Sequence, residues 1–291
     1  MIKKILNKNA RKTDIFLKKY LDKQAYSDLI PSMTYGSLSG GKKIRSSVIL
    51  GTGKLFNINA IKLLNVCAAV ECIHSYSLIH DDLPCMDNDK IRRGKPATHI
   101  KFGESTAILA GNSLLTLAFE MIVDKNYKIE DKAKMELIKS LAYCSGHVGI
   151  AGGQYLDLNF EKKKKRFVNI LDMQRKKTGK LFNFCCYATG VIAKKNKNEL
   201  ESLGKLGEDI GLLFQFADDF IDIKGSKKLA GKSIKKDQKK GKSTLIALVG
   251  YEKAYSYANK LKKNILSKLS KHGKKADNLI NTVEFILERN F

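Results

Sequence analysis

Only three prolines, Pro31, Pro84 and Pro96, interrupt the 291 residues, so nearly the whole chain is free to run as long helices. The apolar residues use that freedom. Leu63, Val66, Cys67, Val70 and Ile73 follow i, i+3, i+4, i+7 logic. Leu114, Leu115, Ala118, Phe119 and Ile122 repeat it, as do Leu203, Leu206, Ile210, Leu213 and Phe214. No pair of period-2 runs is joined by a hairpin turn. The pattern predicts an all-α fold. Breaks are expected near 37–41, 84–98, 125–131 and 161–166, and across the Gly/Lys-rich stretch 224–242. After Tyr251 the helical spacing resumes, with Tyr255, Ala258 and Leu261 set for one face. No repeat, low-complexity linker or firm boundary divides the chain, which reads as a single domain over residues 1–291. Its 43% hydrophobic content suffices for a sizeable core.

A net charge of +25 raises nucleic acid or a membrane surface as partners. Only seven of the 54 basic residues are Arg, however, and the lysines are scattered along the chain. A nucleic-acid surface concentrates Arg with aromatics, because guanidinium stacks and binds bidentately. The charge therefore reads as a solvated surface, with no nucleic-acid partner. Cys67, Cys72, Cys85, Cys144, Cys185 and Cys186 form no C-x-x-C pair, which fits free thiols in a reducing compartment better than a disulfide frame or zinc site. Neither a signal-peptide core nor an apolar run of about 18 residues is found, so a cytoplasmic protein without a transmembrane segment is expected.

Chemistry concentrates in two acidic clusters. The first is Ile79-His80-Asp81-Asp82-Leu83-Pro84-Cys85-Met86-Asp87-Asn88-Asp89. Carboxylates at the end of an apolar helix are costly to bury unless paired or bound to metal. Pro84 should end the helix and let the chain fold back, returning Asp87 towards Asp81. Hard oxygen donors with room for water suit Mg²⁺ shared with a phosphate. Taken alone, an acidic helix end exposed to water fits as well. The second cluster is Phe214-Gln215-Phe216-Ala217-Asp218-Asp219-Phe220-Ile221-Asp222. Asp218 and Asp222, at i and i+4, project from one helix face and repel each other unless a cation joins them. Two such clusters in one chain point to a diphosphate gripped through magnesium ions.

Anion binders surround them. Gly40-Gly41-Lys42-Lys43-Ile44-Arg45 is expected to open a helix with Lys42 and Arg45 on one face, suiting an anion but not matching a Walker loop. Arg92-Arg93-Gly94 follows the first cluster, and Lys177-Thr178-Gly179, Gly231-Lys232 and Gly241-Lys242-Ser243-Thr244 are further candidates. His74 lies about two helical turns before Asp81 and faces the same way. His80, His99, His147 and His272 read as ordinary packed or surface histidines.

These linked motifs, with Gly152-Gly153-Gln154 and Asp157 between them, resemble the trans-isoprenyl diphosphate synthases, most closely bacterial farnesyl diphosphate synthases. The resemblance runs from about Gly40 to Thr244. It implies an all-α fold of about ten or more helices around a central substrate cavity, usually in a homodimer. It implies that Asp81 and Asp87, with Asp82 supporting, hold two Mg²⁺ on an allylic diphosphate, and that Asp218, assisted by Asp219 and Asp222, holds a third. Arg92, Lys177, Thr178, Gln215, Lys232 and Lys242 would bind the allylic diphosphate. Lys42, Arg45, His74 and Arg93 would bind that of isopentenyl diphosphate. In the reaction this resemblance implies, the metals and basic groups would stabilise the departing diphosphate, the isopentenyl double bond would attack the allylic carbocation, and a proton would be lost to the released diphosphate. Of these groups, the six aspartates and Lys177 would be the catalytic ones.

Product length should depend on Tyr76, five residues before Asp81 and roughly 7.5 Å along a helix, with the small Ser77 beside it. A ring there, with the Leu83-Pro84 insertion, goes in this family with a fifteen-carbon product. The expected reaction condenses isopentenyl diphosphate with dimethylallyl and geranyl diphosphate to give (2E,6E)-farnesyl diphosphate. The Cys85-Met86-Asp87-Asn88-Asp89 wording also fits geranylgeranyl synthases, so a geranylgeranyl (or geranyl) diphosphate synthase is the alternative. A non-catalytic subunit should have lost one acidic cluster, and a terpene cyclase would not need the Gly40–Arg45 stretch. Lys235, where relatives commonly have Gly, and the Arg289-Asn290-Phe291 end depart from the family pattern.

Overall fold

The computed structural model describes residues 2–160, 165–229 and 245–288, without the side chains of Asp222 and residues 224–229. The chain forms two compact units, Met1–Leu141 with Ala188–Lys195, and Ala142–Tyr187 with Asn196–Phe291. Apart from one two-residue hairpin, every regular element among the described residues is helical, as the periodicity predicts.

The first unit contains α1 (Ile2–Leu21), α2 (Ile30–Leu38), α3 (Ile44–Leu55), α4 (Leu64–Asp81), α5 (Thr98–Phe102), α6 (Glu104–Val123) and most of α7 (Asp131–Ser145). Its centre is α4, whose residues from Val66 to Val70 are all fully buried. A helix apolar on every side belongs inside a core. Its main neighbour is α6, and Asn65 Nδ2 donates to the Met121 carbonyl at 2.9 Å to fix their register. Sequence reading expects no apolar run of membrane-spanning length, yet α6 is long and apolar enough to cross a bilayer. Its Ala107, Ala110, Leu114, Ala118, Met121 and Ile122 are buried within this unit, so the length serves the core.

The hairpin pairs β1 (Ile91–Arg92) with β2 (Lys95–Pro96) in antiparallel register. Arg93 and Gly94 turn at φ 53° and 74°, the doubly left-handed geometry of a tight two-residue hairpin. Strands this short carry no alternation to read, which is why the periodicity misses them.

The second unit holds α8 (Ile150–Phe160), α9 (Phe167–Gln174), a π-helical turn over Arg175–Gly179, the start of α10 (Lys180–Ile192), α11 (Lys197–Leu229), α12 (Leu245–Val249), α13 (Tyr251–Ser270) and α14 (Asp277–Glu288). Leu203, Leu206, Ile210 and Leu213 of α11 are buried as their spacing predicts. Two expectations change. The helix continues through the expected break at Lys224 to Leu229. In α13 the buried stripe is Ala254, Ala258, Leu261, Ile265 and Leu269, while Tyr255 is 42% exposed and rests on the Phe220 and Tyr251 rings. An amphipathic tyrosine covers the edge of the stripe with its ring. None of the six cysteines is in a disulfide, and Cys85 alone is exposed.

Candidate active site

In the first unit α4 stops at Asp81, three residues before Pro84. The Asp87 N–H donates to the Asp81 carbonyl at 2.8 Å, Asn88 N–H to that of Leu83 at 3.0 Å, and Asp89 N–H to that of Asp82 at 3.1 Å. The chain thus folds back as expected and returns Asp87 to Asp81. Both carboxylates are half-buried. Asp82 turns inward instead, 2% exposed, and accepts from Arg92 Nε at 3.0 and 3.2 Å and from Arg92 Nη2. Arg92 also stands 3.8 Å from Asp89. A bidentate carboxylate fixes the plane of a guanidinium, so the buried Asp82 aims Arg92.

The next residue, Arg93, reaches the glycine loop before α3, where its Nη1 donates to the Gly40 carbonyl. Gly41, at φ 107°, faces the guanidinium so closely that a Cβ would lie 2.8 Å from Cζ. Only glycine meets both demands. Lys43 adopts φ 43° ahead of α3, so Lys42 lies outside the helix and does not share a helical face with Arg45. Arg45 is buried on α3.

Lys43, to which the sequence assigns no role, is buried. Its Nζ donates to the Ser37 carbonyl at 2.7 Å and lies 3.5 Å from Asp14 and 3.9 Å from Glu71. Glu71 in turn accepts from the Ser46 hydroxyl at 2.8 Å and the Ser46 N–H at 3.2 Å. The legible signal was Glu71 itself, a carboxylate between Val70 and Cys72 in the apolar stretch of α4, which must be paired to be tolerated.

His74 lies on α4 among these cations. Burial first, then Arg45, Arg93, Lys43 and Arg92, hold it well below its ordinary pKa, and its Nδ1 is shut from solvent with no hydrogen-bond partner. A histidine kept neutral by folding leaves stability intact above its unfolded value near 6.5 and removes it as pH falls below, at about 1.4 kcal/mol per pH unit. His74→Gln should therefore flatten the acid side of the profile. Urea midpoints at pH 7.5 and 5.5 should differ less in the variant than in the parent; an equal difference would show that other groups govern the slope.

Tyr76, half-buried one turn before His80, meets that ring edge-on at 5.2 Å. His80 Nε2 lies 3.1 Å from the Ile108 carbonyl. The ring fits only because residue 111 of α6 is glycine, since a Cβ there would come within 2.3 Å of Nε2. Ser77 donates to the His74 carbonyl at 3.0 Å. Of the other histidines, His99 is buried with its Nδ1 likewise without a hydrogen-bond partner, and His147 and His272 are exposed.

In the second unit Asp218 is half-buried and Asp219 is 6% exposed. Asp219 accepts from Gln215 Nε2 at 3.0 Å and from Gln174 Nε2 at 3.1 Å. Gln174 was missed by sequence reading, having no motif of its own. The Thr178 hydroxyl donates to Gln215 Oε1 at 2.8 Å, and Lys177 Nζ lies 2.6 Å from Asp157 on α8. The structure thus gathers Asp157, Lys177, Thr178, Gln215 and Asp219 around the π turn, a device common at functional sites. Two further acids, Glu208 and Asp209, sit buried on α11. Burial opposes ionisation of Glu208, but Lys180, Lys205 and Arg175 outweigh it and hold the group below its ordinary pKa. Lys232, Lys235, Lys242 and Phe291 lie outside the described residues, as does the side chain of Asp222.

Among the described residues no three His, Cys, Asp or Glu side chains form a ready metal cage. Mg²⁺ does not require one, because it keeps several waters and is held by one or two carboxylates together with substrate phosphates. Asp81 and Asp87, oxygen donors tied together through the backbone, fit that demand.

The polyprenyl synthetase family profile matches residues 27–283. The chain belongs to the polyprenyl synthetase family. It is 40% identical over 267 residues to the farnesyl diphosphate synthase of Escherichia coli K12, covering 90% of this chain and 89% of that one. It is 38% identical over 263 residues to geranylgeranyl pyrophosphate synthase 4 of Arabidopsis thaliana, covering 89% and 70%. Among solved structures, an FPP/GFPP synthase from Zymomonas mobilis superposes with a TM-score of 0.87 at 37% identity, covering 98% of both chains. This polyprenyl synthetase is a prenyltransferase of the farnesyl and geranylgeranyl diphosphate synthase type.

Proposed function

We propose that the enzyme condenses isopentenyl diphosphate with dimethylallyl and then geranyl diphosphate to give (2E,6E)-farnesyl diphosphate, with Mg²⁺, as a cytoplasmic homodimer whose chain works as one catalytic domain. Asp81 and Asp87 are the residues that hold two of the ions, with Asp82 supporting them, and Asp218 holds a third with Asp219 and Asp222. When bound, the ions supply positive charge against which the allylic diphosphate departs. Arg92, Lys177, Thr178 and Gln215, with Lys232 and Lys242, orient that diphosphate. Lys42, Arg45, Arg93 and neutral His74 hold the isopentenyl diphosphate; the nearness of Arg45 and Arg93 to His74 supports grouping those three. The allylic cation must be kept from water, which would quench it, and the released diphosphate takes the proton.

One observation carries the fifteen-carbon product: the Tyr76 ring is braced edge-on against His80, itself set on the Ile108 carbonyl. A ring backed in this way does not swing aside for a longer chain. Labelled isopentenyl diphosphate should give fifteen-carbon product from dimethylallyl and geranyl primers; no product from any primer would refute the activity. Twenty-carbon product would favour the geranylgeranyl reading, which the 38% identity to the Arabidopsis enzyme and the Cys85–Asp89 wording support. Tyr76→Ala should lengthen the main product by one or more five-carbon units, read by chromatography against prenol standards. Unchanged length would place the stop elsewhere.

A further inference from the structure

A π turn is wound by one extra residue and is rarely found beyond a single turn inside an α-helix, so its winding depends on what surrounds it. Relaxation by one residue would rotate the side chains beyond it by about 100° around the axis. In this enzyme the turn Arg175–Gly179 carries Lys177 and Thr178, so something must hold its winding. The buried carboxylate of Glu208 is placed to do so. Arg175, the first residue of the turn, donates to Glu208 Oε1 at 3.0 Å, and Lys180, the residue just after it, donates to Oε2 at 3.0 Å. Each oxygen thus grips one end. Gly179 sits against the same side chain, and a Cβ there would lie 3.0 Å from Glu208 Cγ. Glu208 is 8% exposed, so its charge acts where solvent screens little. Its neighbour Asp209 provides a contrast: it reaches Arg175 at 3.5 Å, Lys205 at 3.7 Å and Lys268 at 3.3 Å, all without spanning the turn.

We infer that Glu208 is a positioning residue for prenyl transfer, a clamp across the π turn that sets where Lys177 and Thr178 meet the allylic diphosphate. The inference rests on the role proposed above for those two residues. Glu208→Gln keeps the size but can accept from only one cation, its amide nitrogen facing the other. It should raise KM for the allylic diphosphate by about tenfold and leave KM for isopentenyl diphosphate within about twofold. Lys180→Met, which cuts one half-buried tether and leaves the acid in place, should move the allylic KM the same way by a smaller factor. Asp209→Asn, in the same ionic cluster, should lower the melting temperature without altering either KM. If Glu208→Gln and Lys180→Met change only the melting temperature while Lys177→Ala raises the allylic KM, the clamp is overturned and the site reading stands. If Lys177→Ala also leaves the allylic KM unchanged, both fall.

Discussion

Asp81→Ala should lower prenyl transfer by about a thousandfold or more, some 4 kcal/mol of lost transition-state stabilisation. The local structure makes the result interpretable. The fold-back after α4 is held by main-chain groups, Asp87 N–H to Asp81 carbonyl and Asp89 N–H to Asp82 carbonyl, and Asp81→Ala keeps all of these groups. Arg92 keeps its anchor, because that anchor is Asp82. On the proposed assignment, the variant gives up one hard oxygen ligand on the side of the departing diphosphate, where charge develops during reaction. Calorimetric titration with a non-reactive allylic diphosphate analogue, with and without Mg²⁺, separates the possibilities. The parent should bind the analogue much more tightly with the metal present, and the variant should lose most of that gain while its melting temperature stays within a few degrees. A variant that retains both rate and metal-dependent affinity would remove Asp81 from the metal site.

The fold class was legible because the relevant signal is local. Leu63 to Ile73 and Leu203 to Leu213 declare helices through their own spacing, and the single family hallmark of each acidic cluster lies in consecutive residues. Less legible was anything set by distant partners. Lys43 reads as one more surface lysine in a lysine-rich chain, yet it is buried because Asp14 on α1 and Glu71 on α4 reach it. Asp82 and Asp81 are identical neighbours in sequence, but the hairpin brings Arg92 back onto Asp82, which is buried, while Asp81 is half-buried. Gln174 and Glu208 join the site through contacts across 45 and 28 to 33 residues. Periodicity carries no information at that range.

Gly153→Ala should be among the most damaging single-methyl changes in the protein. A Cβ at this position of α8 would lie 2.1 Å from the Lys177 nitrogen and 2.4 Å from its Cα. Those are backbone atoms, so no rotamer change relieves the overlap. On the other side the turn is closed by α11, where a Cβ on Gly211 would come 2.8 Å from the Gly179 Cα. The π turn is thus held between two helices and has nowhere to retreat. Overpacking of this kind costs about 2–3 kcal/mol, or a fall of roughly 4–12 °C in melting temperature for a chain of this size. If α8 moves to make room, Asp157 moves with it and the 2.6 Å contact to Lys177 is broken, so the allylic KM should rise together with the loss of stability. Gly152→Ala, one residue earlier, is the useful comparison. A Cβ there would overlap the His147 carbonyl at 1.7 Å, within the same helix start and away from the turn, so it should cost stability and spare the allylic KM. Equal effects of the two variants on that KM would show that α8 does not locate the turn through Gly153.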